Sequence, residues 1–176
     1  MQGALKLRAL DKDDLLIVAG FLQDAIVPIG EMCFLADEKR FVMVVNRFKW
    51  ESCNDSVPVS NGDASYDGTA DAPVPYERIH CGIRFDGIAA VRTRNVNLHD
   101  RHQILSLLTL ECTDDAVLLH FSGGACIRLE SRHWQCWAED LGESWPTLHR
   151  PCHPVGEEAL GEAGVDKAAT GGRPAA

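Results

Sequence analysis

Residues 103–130 carry three strand-like runs separated by two stretches of turn chemistry, an arrangement that commits this part of the chain to an antiparallel meander. Gln103 to Thr113 combines leucines with Ile104 and Thr109, and Asp114-Asp115 ends the run. In the next run Val117, Leu119 and Phe121 alternate with Leu118 and His120. Ser122-Gly123-Gly124 then turns the chain, because glycine reaches the positive φ of a tight reversal without steric penalty. The third run, Ala125 to Glu130, sets Ile127 and Leu129 on one face and Cys126, Arg128 and Glu130 on the other.

The meander leads into a segment with a helical period. Ser131 is placed as an N-cap, Trp134, Trp137, Ala138 and Leu141 fall at i, i+3, i+4 and i+7, and Gly142 and Pro146 stand where a helix would stop. This predicts a helix over 131–142 whose tryptophan face packs on the sheet. Such a face would contribute about 25 cal/mol per Å² of apolar surface buried.

The N-terminal half reads as one helix and several strands. Leu5 and Leu7 alternate with Lys6 and Arg8 in an opening strand. Asp11 then N-caps a helix over 12–24, with Asp14 at the positive end of its dipole and Leu10 and Leu15 in staple positions. Leu15, Val18, Ala19 and Leu22 form its apolar face, widened by Ile17 and Phe21. Strands are expected over Ala25 to Ile29, Met32 to Leu35 and Arg40 to Phe48, with turns at Gly30-Glu31 and Asp37-Glu38-Lys39. In the last strand Val42 and Val44 oppose Met43 and Val45, so both faces are apolar and the strand should be central.

Two segments lack any apolar period. Residues 52–76 are rich in Ser, Asp, Gly, Ala and Pro, and 150–176 in Gly, Ala, Pro and Glu, compositions that cannot offset chain entropy by burial. The expectation is a single domain over 1–149 with a disordered insertion at 52–76, followed by a disordered tail at 150–176. Residues 52–76 and 151–176 hold −4 and −2 of the net charge of −9, leaving a body of −3, so the overall acidity does not exclude an anionic partner. There is no run of eighteen apolar residues and no basic-then-apolar start, so neither a membrane span nor a signal peptide is expected. Seven scattered cysteines without a C-x-x-C pair suit a reducing compartment, and the cytoplasm is the expected location.

Glu77 to Asn95 carries the densest charge pattern. A three-residue loop Phe85-Asp86-Gly87, with Gly87 left-handed in a G1 bulge, would make a hairpin with Ile79, Cys81 and Ile83 on the same face as Ala89, Val91 and Thr93. Arg78, His80, Arg84, Arg92 and Arg94 would then share the other face with Ala90, a possible site for a phosphate, a carboxylate cluster or a nucleic-acid backbone. The plainer alternative is a solvated face whose charges pair with acids elsewhere. No Gly-rich phosphate loop and no ladder of stacking aromatics accompanies these residues, so nucleic acid is not expected.

Other chemistry is less well marked. Among His99, His102, Cys112, His120, Cys126, His133, Cys136, Cys152 and His153, only His133-x-x-Cys136 has a ligand-like spacing, so no metal and no cofactor is expected. A small enzyme using a cysteine, or the polar group Asn46, Arg47 and Glu51 at the end of the central strand, remains the alternative to a binding protein.

Leu22-Gln23-Asp24-Ala25, Glu38 to Glu51 (EKRFVMVVNRFKWE), Phe121 to Glu130 (FSGGACIRLE) and Asp140 to Trp145 (DLGESW) occur in an order that resembles a family of small alphaproteobacterial proteins known as a domain of unknown function. The resemblance covers residues 4–147, departs from the family at 52–76, where members are shorter, and implies a bacterial cytoplasmic protein with no catalytic residues to carry over. The fold expected is α+β: a bent, mainly antiparallel sheet or split barrel of seven or eight strands with an N-terminal and a C-terminal helix. The ending resembles the closing of pleckstrin-homology-type barrels. The function expected is that of a non-catalytic binding or adaptor protein. Its partner would be a protein segment or an anionic small molecule on the arginine face.

Overall fold

A computed structural model describes residues 4–53 and 76–151. The insertion expected at 52–76 and the tail expected at 150–176 therefore fall almost wholly outside the described residues. The elements run β1 (Lys6–Ala9), α1 (Lys12–Leu22), β2 (Ile26–Pro28), β3 (Met32–Leu35), β4 (Arg40–Phe48), β5 (Tyr76–Asp86), β6 (Ala90–Arg94), β7 (Ile104–Cys112), β8 (Ala116–Phe121), β9 (Cys126–Glu130) and β10 (Gln135–Thr147). Every pairing is antiparallel.

The N-terminal elements form as their residues dictate. Asp11 caps α1 by accepting a hydrogen bond from Asp14 N at 2.9 Å, and Leu15, Val18, Ala19 and Leu22 are buried. Ile17 and Leu10 are about half exposed, so the stripe is narrower than expected and the staple does not close. The helix lies mainly on β7 and β1. In β4 every residue but the ends alternates between core and outer face, and β5 pairs along its whole length.

Two expectations are overturned. Among the described residues there are ten strands and one helix, in place of seven or eight strands and two helices. Residues 135–147 form the longest strand, β10, paired with β1 on one edge and β5 on the other. Ser131 does not cap a helix: its Oγ donates to Gly87 O at 2.8 Å and accepts from His133 N. The residues that β10 buries are Cys136, Ala138 and Asp140, a period of two of which the helical reading places only Ala138 on its apolar face. Gly142, at φ +70°, sits in the bulge between Leu141 and Trp145. Without a closing helix, the pleckstrin-homology analogy loses the feature on which it rested.

The second correction concerns β5 and β6, which do not pair. β5 lies between β4 and β10, whereas β6 pairs only with β9. Gly87 does adopt positive φ, +85°, but it turns the chain across the molecule rather than back on itself. Ile88 N then donates to Lys39 O and Ala89 N to Glu130 O, each at 2.8 Å.

That crossing shapes the whole sheet, whose order is β1-β10-β5-β4-β2-β7-β8-β9-β6. β2 and β3 lie along the same edge of β4, separated by the 3₁₀ turn Ile29–Glu31. The far edge of β2 continues into β7, while the far edge of β3 has no partner among the described residues. The sheet curls around one core cluster, in which Phe41, Met43, Ile83 and Phe85 join Leu107, Leu119, Ile127 and Leu129. Its last strand, β6, returns to the vicinity of β3. The result is an open, curled sheet in which β3 and β6 meet along one seam.

Candidate functional site

The five residues expected on one face divide between two places. Arg78, His80 and Arg84 alternate along the outer face of β5, opposite the buried Ile79, Cys81, Ile83 and Phe85. Arg92 and Arg94 lie on β6, in the other half of the sheet. The β5 residues are largely engaged. His80 packs on Trp145 with ring centres 4.6 Å apart, and Arg84 lies over Trp137 and 3.0 Å from Asp86. Arg78 donates to Asn46 O at 3.0 Å and covers the Phe48 ring.

Arg92 and Arg94 come together with residues of β8 and β9, among them Arg128, which the sequence reading did not place in a site. Pairing of β6, β9 and β8 sets Arg92 beside Arg128 and Leu118, and Arg94 beside Cys126 and His120, on the outward face. Arg92 pairs with Glu130, Arg128 with Asp115 at 2.7 Å and His120 with Glu111 at 2.9 Å. Arg94 makes no ion pair among the described residues and is exposed. The hydrogen bonds from the Arg92 guanidinium to Glu130 hold its pKa above the ordinary value.

Behind this face lies the seam. A cavity of about 310 Å³ separates β3 from β6, walled by Met32, Phe34 and Phe41 on one side and Val91, Thr93 and Ile127 on the other. One end is closed by the 95–103 connection, where Arg101 donates to Gly30 O at 2.8 Å and Gly30 N to Arg101 O at 3.1 Å. The other end is closed by the Ile88–Lys39 bond. Between them, two strands present unpaired edges to one apolar groove.

The polar group at the end of β4 resolves differently from its expected form. Arg47 points into the core with its side chain 1% exposed, while Asn46 faces outward on the alternate position. Arg47 Nε and Nη2 each donate to an oxygen of Asp140 at 2.7 Å, and Nη1 and Nη2 donate to Glu51 at 3.1 and 2.8 Å. Leu5 N completes the set with 3.0 Å to Asp140 Oδ2. Burial pushes both carboxyls up, but the Arg47 hydrogen bonds prevail and hold Asp140 and Glu51 below the usual carboxylate range. A cavity of about 750 Å³ lies beside them, but its Asp140 and Glu51 are engaged by Arg47 and its Lys49 by Glu77. Such a closed network holds β4, β10 and the N-terminus together, with its Arg47 and Lys49 cations already paired to carboxylates. Size alone does not make this cleft the site.

Cysteine chemistry is disfavoured at two positions. Burial pushes the thiols of Cys81 and Cys136 up to about 12, far from a nucleophilic thiolate. Among the described residues no three His, Cys, Asp or Glu side chains converge as metal ligands. His133 is exposed ahead of β10, while Cys136 faces the core. Cys152 and His153 lie outside the described residues. Also among these, no helix is long and apolar enough to cross a membrane.

Residues 5–153 match a family described as "Protein of unknown function (DUF2948)", in keeping with the resemblance carried by the four motifs. No curated protein and no solved structure matches the chain.

Proposed function

The chain belongs to the family of proteins of unknown function DUF2948, and we propose that it is a non-catalytic binding protein that takes up an extended protein segment by strand addition on β6. One observation carries this reading: β6 and β3 turn unpaired edges toward a single apolar groove. Unpaired edge groups are a template for another strand, and natural sheets otherwise cover them. The period of a strand then specifies the partner. About two or three side chains of a five-residue segment would point inward to Val91, Thr93, Ile127 and Phe34, and the others outward beside Arg92 and Arg94. The segment that fits alternates apolar and acidic residues.

The arginines also have a protective role, since charge on an edge discourages pairing between like sheets. An acidic segment meets no such opposition, and a basic one is rejected twice over. The free thiols of Cys33, Cys81, Cys112, Cys126 and Cys136 support placing this activity in a reducing compartment, the cytoplasm.

The test uses the full chain and two capped pentapeptides, one alternating valine with glutamate and one alternating valine with lysine. Calorimetric titration should give saturable binding of the first only. In an Arg92→Glu/Arg94→Glu variant the affinity should fall by at least about tenfold, because opposed charges become like charges. Equal binding of both peptides, or an undiminished affinity in the double variant, would remove the β6 face from consideration.

A further inference from the structure

A second site lies on the outer face of the sheet where β5, β4, β2 and β7 run side by side. β2 is only three residues long, and the shallow surface over it forms a cavity of about 370 Å³. Arg78 projects into it from β5, Ser106 from β7 and Ser122 from the turn after β8, and His149 and Arg150 cross it from the chain that follows β10. Asp24 is the one carboxylate among the lining residues. It is held at φ +59° and 8% exposed by the bond from its own N–H to Leu107 O, a conformation that aspartate tolerates better than most residues.

Arg78 is the informative residue. It is partly buried, its one directed hydrogen bond goes to the neutral Asn46 carbonyl, and it makes no direct ion pair among the described residues. Burial lowers its pKa from the ordinary value, with the charge of Asp24 acting in the opposite sense. A guanidinium has five donors, and among the described residues only Asn46 O takes a hydrogen bond from Arg78. Two guanidinium groups, an imidazole and two hydroxyls surround a single carboxylate. This is a donor-rich pocket with an excess of positive charge.

We infer that this pocket binds a phosphoryl group, with Arg78 as the planar anchor and Arg150 closing over it from the rim. A tetrahedral oxyanion spreads its oxygens in three dimensions, toward arginines and serines that come from separate strands and turns, whereas the two oxygens of a carboxylate lie in one plane. The site shares no residue with the β6 seam and does not depend on the strand-addition reading.

Titration of the full chain with inorganic phosphate, and separately with acetate, at constant ionic strength tests the assignment. Phosphate should bind saturably and at least about tenfold more tightly than acetate. Arg78→Gln should weaken phosphate binding by at least about tenfold, and Arg94→Gln should leave it unchanged. Should Arg78→Gln fail to fold, Arg150→Gln decides: a loss of threefold or more supports the site, and an unchanged affinity overturns it. No saturable phosphate binding, acetate binding of equal strength, or an equal loss on changing Arg94 would each overturn it.

Discussion

Arg47 enters the core with all its nitrogen atoms engaged, and its removal or that of its partner would leave a buried charge uncompensated. That costs about 3–5 kcal/mol, whereas the exposed Lys6–Glu139 pair contributes at most ~1 kcal/mol. Asp140→Asn should therefore lower the urea midpoint far more than Lys6→Ala. The same pair gives stability a pH dependence of known sign. The folded-state pKa of Asp140 is depressed, so its contribution is fully present above an unfolded value of about 3.9. It is lost as pH falls through the lower folded value. The plot of unfolding free energy against pH below about 4 should be shallower for Asp140→Asn than for the parent chain, and equal slopes would contradict the assignment. Half of this pair is visible in the sequence. An arginine continuing the inward alternation Phe41, Met43, Val45 demands a buried acid, and Glu51, four residues on, is one of them. The second, Asp140, is hidden because 131–142 satisfies a helical period as well as it satisfies a strand.

That ambiguity belongs to the element scale, where local pattern decides only what local contacts reward. The meander of β7, β8 and β9 is legible because period two and turn residues agree, down to Gly123 and Gly124 at φ +70° and +71°. In β10 the apolar residues Trp137 and Leu141 lie on the outside, while Trp134, just ahead of the strand, packs partly buried against the core. The core is lined instead by small residues between them, which carry little hydrophobic signal. Likewise a left-handed Gly87 is legible, but whether it makes a hairpin or a crossing depends on Lys39, Glu130 and Ser131, all distant in the chain. These two glycine turns should respond differently to substitution. A Cβ at Gly123 meets nothing within 4 Å, so Gly123→Ala should cost only the left-handed penalty of about 1–2 kcal/mol. A Cβ at Gly87 would lie 2.2 Å from His133 O, so Gly87→Ala should lower the melting temperature several times as far. Similar melting temperatures for the two variants would mean that the crossing is not packed as described.

At the scale of the whole molecule, the fold is an open, curled antiparallel sheet in which β3 and β6 come together across a groove. A fully paired barrel would abolish its edges, whereas here β3 and β6 keep theirs across an apolar groove. A bent, mainly antiparallel sheet is the architecture the sequence suggests. Its seam is not suggested, because pairing across distant strands leaves no periodic trace in either one. The arginines at 92 and 94 were legible as a charged pair but not as the outward face of an open edge. The measurement that bears most directly on strand addition is amide hydrogen exchange of the full chain with and without the valine–glutamate pentapeptide. Strand addition predicts that protection on binding is confined to Ala90–Arg94 and Met32–Leu35, with β5 and β10 unchanged. Binding that leaves the β6 amides exchanging at their free rate, or that protects β5 instead, would contradict it.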